Sequence, residues 1–197
     1  FAHCVLDPNK PMALDPLTPG SIMLRYRKTH LEAMQKAKEV IDEIDKEFEK
    51  KFGRGYGGLL STYKIEDAEV AIVTIAGMTG TGMDAVDLAR ERGIKAGLVK
   101  IRFARPFPAE KISKALKNVK AFAVIDRSCC FGWSAGPMYM ETRAALADID
   151  KQFCHFSVIG GLGGADISLD MISSTIDKLE EMKNEPGHKE LQWYMVD

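Results

Sequence analysis

Polar side chains that could take part in chemistry follow two neighbouring predicted strands. Arg105 comes shortly after one strand, and Asp126, Arg127 and Ser128 come directly after the next. Since the carboxyl ends of parallel strands meet at one edge of a sheet, where open α/β folds place their sites, we expect these residues to line one crevice. They indicate anion recognition or a subunit interface. We favour the interface, or a local Arg–Asp ion pair that fixes the loops, because no base or nucleophile completes a catalytic set.

Two glycine-rich segments follow other predicted strands and form a second candidate site. Glycines at a strand-to-helix turn can bring backbone N–H groups close to a phosphate. The first segment has the spacing G-x-x-G-x-G, which is neither the dinucleotide fingerprint nor a P-loop. We interpret it as a tight turn that allows close packing, and a stand-alone anion- or nucleotide-binding module is the alternative. The glycines concerned are Gly77, Gly80, Gly82, Gly160, Gly161, Gly163 and Gly164.

The cysteine and histidine residues lack the spacing of a metal site. The chain has four Cys and four His, with no C-x-x-C pair, and a structural metal needs about four converging thiolates or imidazoles. We therefore expect no metal in this chain, and thiols kept reduced in the cytoplasm. The adjacent pair Cys129 and Cys130 leaves a reactive or redox thiol open.

The elements that must position these residues alternate between strand and helix. Such alternation predicts an open, mostly parallel sheet covered by helices on both faces, with Ser168 as the cap of a last helix that ends near Lys183. The four predicted strands are Glu69–Ile75, Lys95–Ile101, Lys120–Ile125 and Phe153–Ile159.

The chain divides into four parts. Residues 1–24 form a proline-rich connector, and residues 25–58 form a long helix with a glycine-rich turn. The helix predicts a bridging arm or an ordinary amphipathic helix packed along its own domain, and both remain open. Residues 59–183 form the α/β domain, and residues 184–197 form an irregular tail that docks on a neighbour.

Composition and charge exclude several classes of function. The 197 residues carry Lys+Arg 27 and Asp+Glu 28, a net charge of −1, and are 46% hydrophobic. Nucleic-acid or acidic-membrane binding would require a basic footprint. The longest apolar runs are far shorter than the roughly 20 residues that span a bilayer. We therefore expect neither nucleic acid nor membrane as a partner, and a chain that is processed or part of a longer one.

Several blocks of sequence, taken in order, resemble a known family. They look like the C-terminal half of the α subunit of 2-oxoacid:ferredoxin oxidoreductases, of the pyruvate:ferredoxin oxidoreductase (pyruvate synthase) type. The long helix is also similar to the connector in that subunit. The blocks are residues 68–74, 97–108, 124–128, 131–132, 136–139 and 160–167.

The resemblance implies a three-layer α/β/α sandwich like the transketolase C-terminal domain. It implies an enzyme that oxidatively decarboxylates a 2-oxoacid onto coenzyme A with thiamine diphosphate and Mg²⁺, and that passes electrons through [4Fe-4S] clusters to ferredoxin. The diphosphate signature G-D-G…Asn and a ferredoxin-like cysteine run are absent from this sequence. We therefore expect a structural and assembly domain that has no catalytic residue and binds no cofactor alone. Its partners are the other subunits, with ferredoxin and coenzyme A reached through the complex.

The resemblance points to pyruvate as the substrate. Cys129, Cys130 and Trp133 depart from the family pattern, so an oxalate, 2-oxoglutarate, 2-oxoisovalerate or aryl-glyoxylate enzyme also fits. The C-terminal domain of a transketolase or of a dehydrogenase E1 component is the remaining alternative.

Overall fold

A computed structural model describes residues 7–11 and 17–195 of the protein, with five α-helices and seven strands in those ranges. The helices are α1 (Gly20–Phe52), α2 (Thr79–Glu91), α3 (Ala109–Leu116), α4 (Pro137–Ala145) and α5 (Leu169–Met182). The strands are β1 (Leu60–Tyr63), β2 (Val70–Ile75), β3 (Ala96–Ile101), β4 (Ala121–Asp126), β5 (Cys154–Ile159), β6 (Gly187–His188) and β7 (Gln192–Trp193).

The strands form one sheet whose central part is parallel. Its order is β1-β3-β2-β4-β5, and β6 and β7 both lie beside β5. Only β1 runs antiparallel, along the outer edge of β3. The chain leaves β2 towards β3 on one side and returns to β4 on the other, so the order reverses between β2 and β4. Open α/β sheets bind ligands at such a switch point, beyond the carboxyl ends of the strands.

Successive residues of the strands face two separate hydrophobic cores. Ile72 and Leu98 pack with α2 and α5 on one face of the sheet. Val73 and Val99 pack with α3 and α4 on the other. Strands buried on both faces do not alternate between polar and apolar residues. The nearly uniform apolar runs in the sequence predicted such strands. The mainly parallel α/β/α sandwich is therefore confirmed.

The ends of the predicted elements agree with the structure in most places. Ser168 caps α5, and its Oγ accepts from the Met171 N–H at 3.2 Å. Gly53 and Gly93, which follow α1 and α2, have φ of +71° and +86°. This left-handed conformation suits glycine, since it has no Cβ to clash.

The two ends of the chain differ from their prediction. The helix expected from about residue 25 begins at Gly20, directly after Pro19, whose carbonyl accepts from the Ile22 N–H. Part of the predicted connector is therefore helical, while residues 1–6 and 12–16 of it lie outside the described residues. The tail is not wholly irregular, because β6 and β7 pair with β5. Strands of two residues are too short to give a sequence pattern, and pairing with the sheet forms them.

The long helix α1 lies on the surface, and none of its side chains is buried. Its second half is held by charged groups: Asp42 Oδ2 is 2.5 Å from Lys111 Nζ, and Asp45 Oδ1 is 3.0 Å from Arg102 Nη1. Lys38 Nζ lies 3.1 Å from Glu110. Among the described residues, no helix is long and apolar enough to cross a membrane.

Candidate functional site

Asp126 ends β4 at the switch point of the sheet and is 1% exposed. Its two carboxylate oxygens accept the N–H groups of Met138 and Tyr139, at 2.9 and 3.1 Å. Both N–H groups belong to the first turn of α4, where a helix lacks internal acceptors and favours negative charge. Asp126 therefore fixes the position at which α4 begins.

Burial raises the pKa of Asp126 to about 6, against the opposing effect of the two N–H bonds. The nearby carboxylate of Glu141 raises it further. Removing a carboxylate from water disfavours its charged form more than these two bonds compensate. The group can thus change its protonation state near neutral pH.

Gly136 allows α4 to approach Asp126 closely. A Cβ at this position would lie 2.3 Å from Cβ, Cγ and Oδ2 of Asp126, so no larger residue fits without movement. The Gly136 N–H donates to Ser157 Oγ in β5 at 3.0 Å. Asp126, Gly136 and Ser157 thereby join β4, α4 and β5 in one buried polar contact.

Arg105 also holds α4, from the loop after β3. Its guanidinium forms two bonds with Glu141, at 2.7 and 2.6 Å, and this pairing raises the pKa of Arg105. Bidentate Arg–carboxylate pairs fix geometry as well as charge. Arg105 and Asp126 therefore act on the same half of α4, although their partners there differ. Asp126 pairs with no Arg among the described residues, and backbone N–H groups hold it instead.

Arg127 and Ser128 point away from this buried contact. Arg127 Nη2 donates to the carbonyl of Gly161 at 3.1 Å, which ties the loop after β4 to the loop after β5. Ser128 is exposed. The four polar residues predicted at this edge are therefore divided: two of them hold α4, Arg127 holds a glycine loop, and Ser128 faces solvent.

The first glycine segment does not form a loop throughout. A short 3₁₀ turn (Ala76–Met78) follows β2, and α2 then begins, so Gly80 and Gly82 are helical. Only Gly82 serves close packing, since a Cβ there would lie 2.7 Å from Leu98 Cδ1. A Cβ at Gly77 or Gly80 would meet no heavy atom within 4 Å. The predicted close packing is thus correct for one glycine of three.

The second glycine segment divides in the same way. A Cβ at Gly160 would lie 2.7 Å from the ring of Tyr194, and one at Gly161 would lie 3.0 Å from Arg127 Nε. Gly163 and Gly164 face open space, with φ of +62° and +87°. The segment therefore packs tightly at its start and is open at its tip.

The loop between Asp126 and Gly136 carries exposed aromatic rings. Phe131 is 95% exposed and Trp133 is 67% exposed. One backbone bond, from the Cys130 N–H to the Ala135 carbonyl at 3.0 Å, closes the loop at its base. Large apolar side chains held out from a fixed base are typical of a contact surface.

Sequence analysis did not identify a second polar group below this edge. Tyr139 Oη lies 2.8 Å from Nδ1 of the buried His155, and the His155 and His188 rings are 5.7 Å apart. Arg143 lies on the same face of α4 as Tyr139, four residues on. The residues come from three distant parts of the chain, so no local spacing could have revealed the cluster.

Comparison with known proteins identifies the family. The family model described as pyruvate:ferredoxin oxidoreductase core domain II matches residues 68–172, which is more than half of the 197 residues. The chain belongs to this pyruvate:ferredoxin oxidoreductase family. The matched region of core domain II extends from the residues before β2 into the first turn of α5, and includes the whole edge described above.

Relatives of this core domain II chain include subunits of several oxidoreductases. The chain is 46% identical, over 92% of its length, to 45% of the NADH-dependent phenylglyoxylate dehydrogenase subunit alpha of Aromatoleum evansii. It is 34% identical, over 90% of its length, to 44% of the pyruvate synthase subunit PorA of Methanosarcina barkeri. It is 32% identical, over 98% of its length, to 49% of the ketoisovalerate oxidoreductase subunit VorA of Pyrococcus horikoshii. The chain thus spans just under half the length of these relatives.

Solved structures that resemble the chain do so weakly, as one of them shows. It is a 2-oxoglutarate:ferredoxin oxidoreductase from Magnetococcus marinus, with 14% identity and a TM-score of 0.45 over 67% of this chain and 21% of that one. Similarity at this level supports no inference about function.

The described residues of this core domain II do not fit the family's cofactors. Cys129 and Cys130 are adjacent in a loop and Cys154 is buried, whereas a [4Fe-4S] cluster requires about four converging thiolates. In residues 7–11 and 17–195, no three His, Cys, Asp or Glu side chains converge as metal ligands. We therefore derive no step through a cluster, or through Mg²⁺ and thiamine diphosphate, on these residues.

Proposed function

We propose that the chain is a structural and assembly domain of a 2-oxoacid oxidoreductase, which decarboxylates its substrate onto coenzyme A in the cytoplasm. The family match to residues 68–172 carries this proposal. The complex uses thiamine diphosphate, Mg²⁺ and [4Fe-4S] clusters supplied by parts other than these residues. This role does not require a nucleophile or a base in the chain.

The preferred substrate is an aryl 2-oxoacid such as phenylglyoxylate. The relative named for phenylglyoxylate is 46% identical to this chain, against 34% for the pyruvate synthase subunit of Methanosarcina barkeri. The departures at Cys129, Cys130 and Trp133 lie in the loop that Asp126 anchors. Pyruvate is the second candidate, because several relatives are pyruvate synthase subunits.

The anchored loop gives the domain its task in the complex. Asp126 and Gly136 fix both ends of the loop, and Phe131 and Trp133 extend from it. Such rings supply contact area to a partner at little cost in side-chain entropy. We assign the loop to contact with another part of the enzyme, close to the 2-oxoacid site.

Purification of the complete complex from its source tests both parts of the proposal. Coenzyme A-dependent oxidation is measured with phenylglyoxylate, pyruvate, 2-oxoisovalerate and 2-oxoglutarate, with ferredoxin and NAD⁺ each offered as acceptor. We expect kcat/KM to be highest for phenylglyoxylate. A preference for pyruvate would reject the aryl substrate alone, and no activity with any 2-oxoacid would reject the function. A monomer without partners by native mass spectrometry would instead favour a stand-alone binding module.

A further inference from the structure

Two adjoining cavities lie beside α4, one at the start of β5 and one under the loop that precedes α4. One has a volume of about 350 Å³ and the other about 420 Å³, and Arg143 lines both. His155 lines the first and Tyr139 the second, and their 2.8 Å hydrogen bond joins the two. His155 is paired with Phe122, four residues before Asp126 on β4, so the first cavity lies away from the switch point. The second cavity is lined in part by Trp133, from the loop that Asp126 anchors.

The cavities carry positive charge without a matching carboxylate. Arg143 and Lys151 line the first cavity, and no Asp or Glu lines either one. No ion pair between described residues includes Arg143 or Lys151. Lys151 Nζ instead donates to the carbonyl of Lys117 at 3.3 Å and lies 5.3 Å from the centre of the Phe153 ring. Of the nearest carboxylates along the chain, Asp148 and Asp150 are exposed and Glu141 is paired with Arg105.

The hydrogen bond between Tyr139 and His155 joins two neutral groups. Burial raises the pKa of Tyr139 to about 12, so the phenol keeps its proton. Burial, with Arg143 and His188 nearby, lowers the pKa of His155 to about 4, so the imidazole is neutral at pH 7. In the tautomer that carries its proton on Nε2, His155 accepts the Tyr139 O–H at Nδ1. That Nε2–H is a further donor on a residue that lines the cavity.

We propose that these cavities form a binding site for the phosphate group of a small phosphomonoester. Arg143 supplies a fork of donors and Lys151 a compact charge, and both are suited to a phosphate dianion. In its Nε2–H tautomer, His155 adds a neutral donor. The rings of Phe122 and Phe153 provide an apolar wall for the organic part. The volume of each cavity lies at the small end of the range for ligand sites, about 300–1,000 Å³.

The pKa of Lys151 also reflects the positive charge around the first cavity. Burial, together with the neighbouring Lys120, lowers the pKa of Lys151. A bound dianion would offset both effects, since an opposite charge nearby favours the charged form of an amine.

Calorimetric titration of the full chain tests the site. The probes are inorganic phosphate and phenyl phosphate, with benzoate as a monoanion of similar size, all at one ionic strength. We expect saturable binding of both phosphates and weaker binding of benzoate. Arg143→Gln and Lys151→Gln should each weaken phosphate binding at least about tenfold, as expected for the loss of a charged hydrogen bond. Arg92→Gln is the matched control, because Arg92 pairs with Asp177 on the opposite layer of the sandwich.

The outcomes separate a built site from general attraction. The proposal fails if the chain shows no saturable phosphate binding, if benzoate binds as tightly as phosphate, or if Arg92→Gln weakens binding as much as Arg143→Gln. Thermal unfolding by circular dichroism verifies that each variant is folded. Should Arg143→Gln unfold, the exposed Lys151→Gln variant decides the question alone.

Discussion

Asp126 is a carboxylate at the edge of the sheet that is removed from solvent and held by backbone groups. It is buried, and among the described residues its hydrogen-bond partners are the two N–H groups in the first turn of α4. Its position after a predicted strand was sufficient to single it out from the sequence. The sequence could not show whether an arginine or the backbone would hold it, because that depends on how α4 packs against β4.

At pH 4, where Asp126 is protonated and carries no charge-burial penalty, its replacement by alanine should lower the free energy of unfolding by about 1–3 kcal/mol, since two buried N–H groups lose their acceptor. Urea denaturation measures this change, and Asp148→Ala, at an exposed aspartate, is the control. In the assembled enzyme the same variant should reduce activity without abolishing it, because the loop loses its anchor while the chemistry occurs elsewhere. Complete loss of single-turnover activity with intact assembly would make Asp126 a catalytic residue.

The raised pKa of Asp126 predicts a dependence of stability on pH. The pKa is about 6 in the folded protein and 3.8 in a free side chain, so the protonated form favours folding. The contribution is fully present below about pH 4 and is lost as the pH rises through about 6, with a total of about 3 kcal/mol. Urea denaturation from pH 4 to pH 8 should show this loss in the wild type and not in Asp126→Asn. Parallel curves for the two proteins would contradict the prediction.

At the scale of elements, replacing either of two glycines near the start of a helix by alanine should change the stability of the protein in opposite directions. Gly136→Ala places a Cβ 2.3 Å from three atoms of Asp126, so α4 or the carboxylate must move, at a cost of about 1–3 kcal/mol. Gly80→Ala fills open space within α2 and should stabilise the protein by about 0.5–1 kcal/mol. Thermal unfolding of both variants measures the difference. Equal effects would show that the contact with Asp126 is not tight.

The prediction of secondary structure was correct where the residues of one segment show an apolar pattern. It was incomplete where a strand forms only by pairing with a strand distant in sequence. The four central strands and the helices between them were found because buried parallel strands are uniformly apolar. The edge strand β1 was missed, as were β6 and β7, because they exist only through pairing with β3 and β5. The polar cluster of Tyr139 and His155 was missed for the same reason.

At the scale of the whole molecule, removal of residues 1–58 should leave the sandwich folded. No side chain of α1 is buried, and its second half is attached by ion pairs and hydrogen bonds to Arg102, Glu110 and Lys111. These pairs replace no apolar core, since the two hydrophobic clusters of the sandwich contain no residue of α1. We expect the circular dichroism spectrum of the remaining domain to retain its α/β character, with weaker assembly into the complex. An unfolded spectrum would show that α1 belongs to the core.

Helix α1 is attached to the rest of the protein through side chains of its second half. The helix forms ion pairs with the rest of the protein through Lys38, Asp42 and Asp45. From residue 37 back to Gly20, the described hydrogen bonds and ion pairs of its side chains remain within the helix. This part of α1 is about 27 Å long, so a tilt of about 10° around the ion pairs moves Gly20 by roughly 5 Å. Since dissolved ions screen the more exposed of these pairs, the first half of α1 should tilt more widely as ionic strength rises, and a partner bound at its N-terminal end would fix its direction.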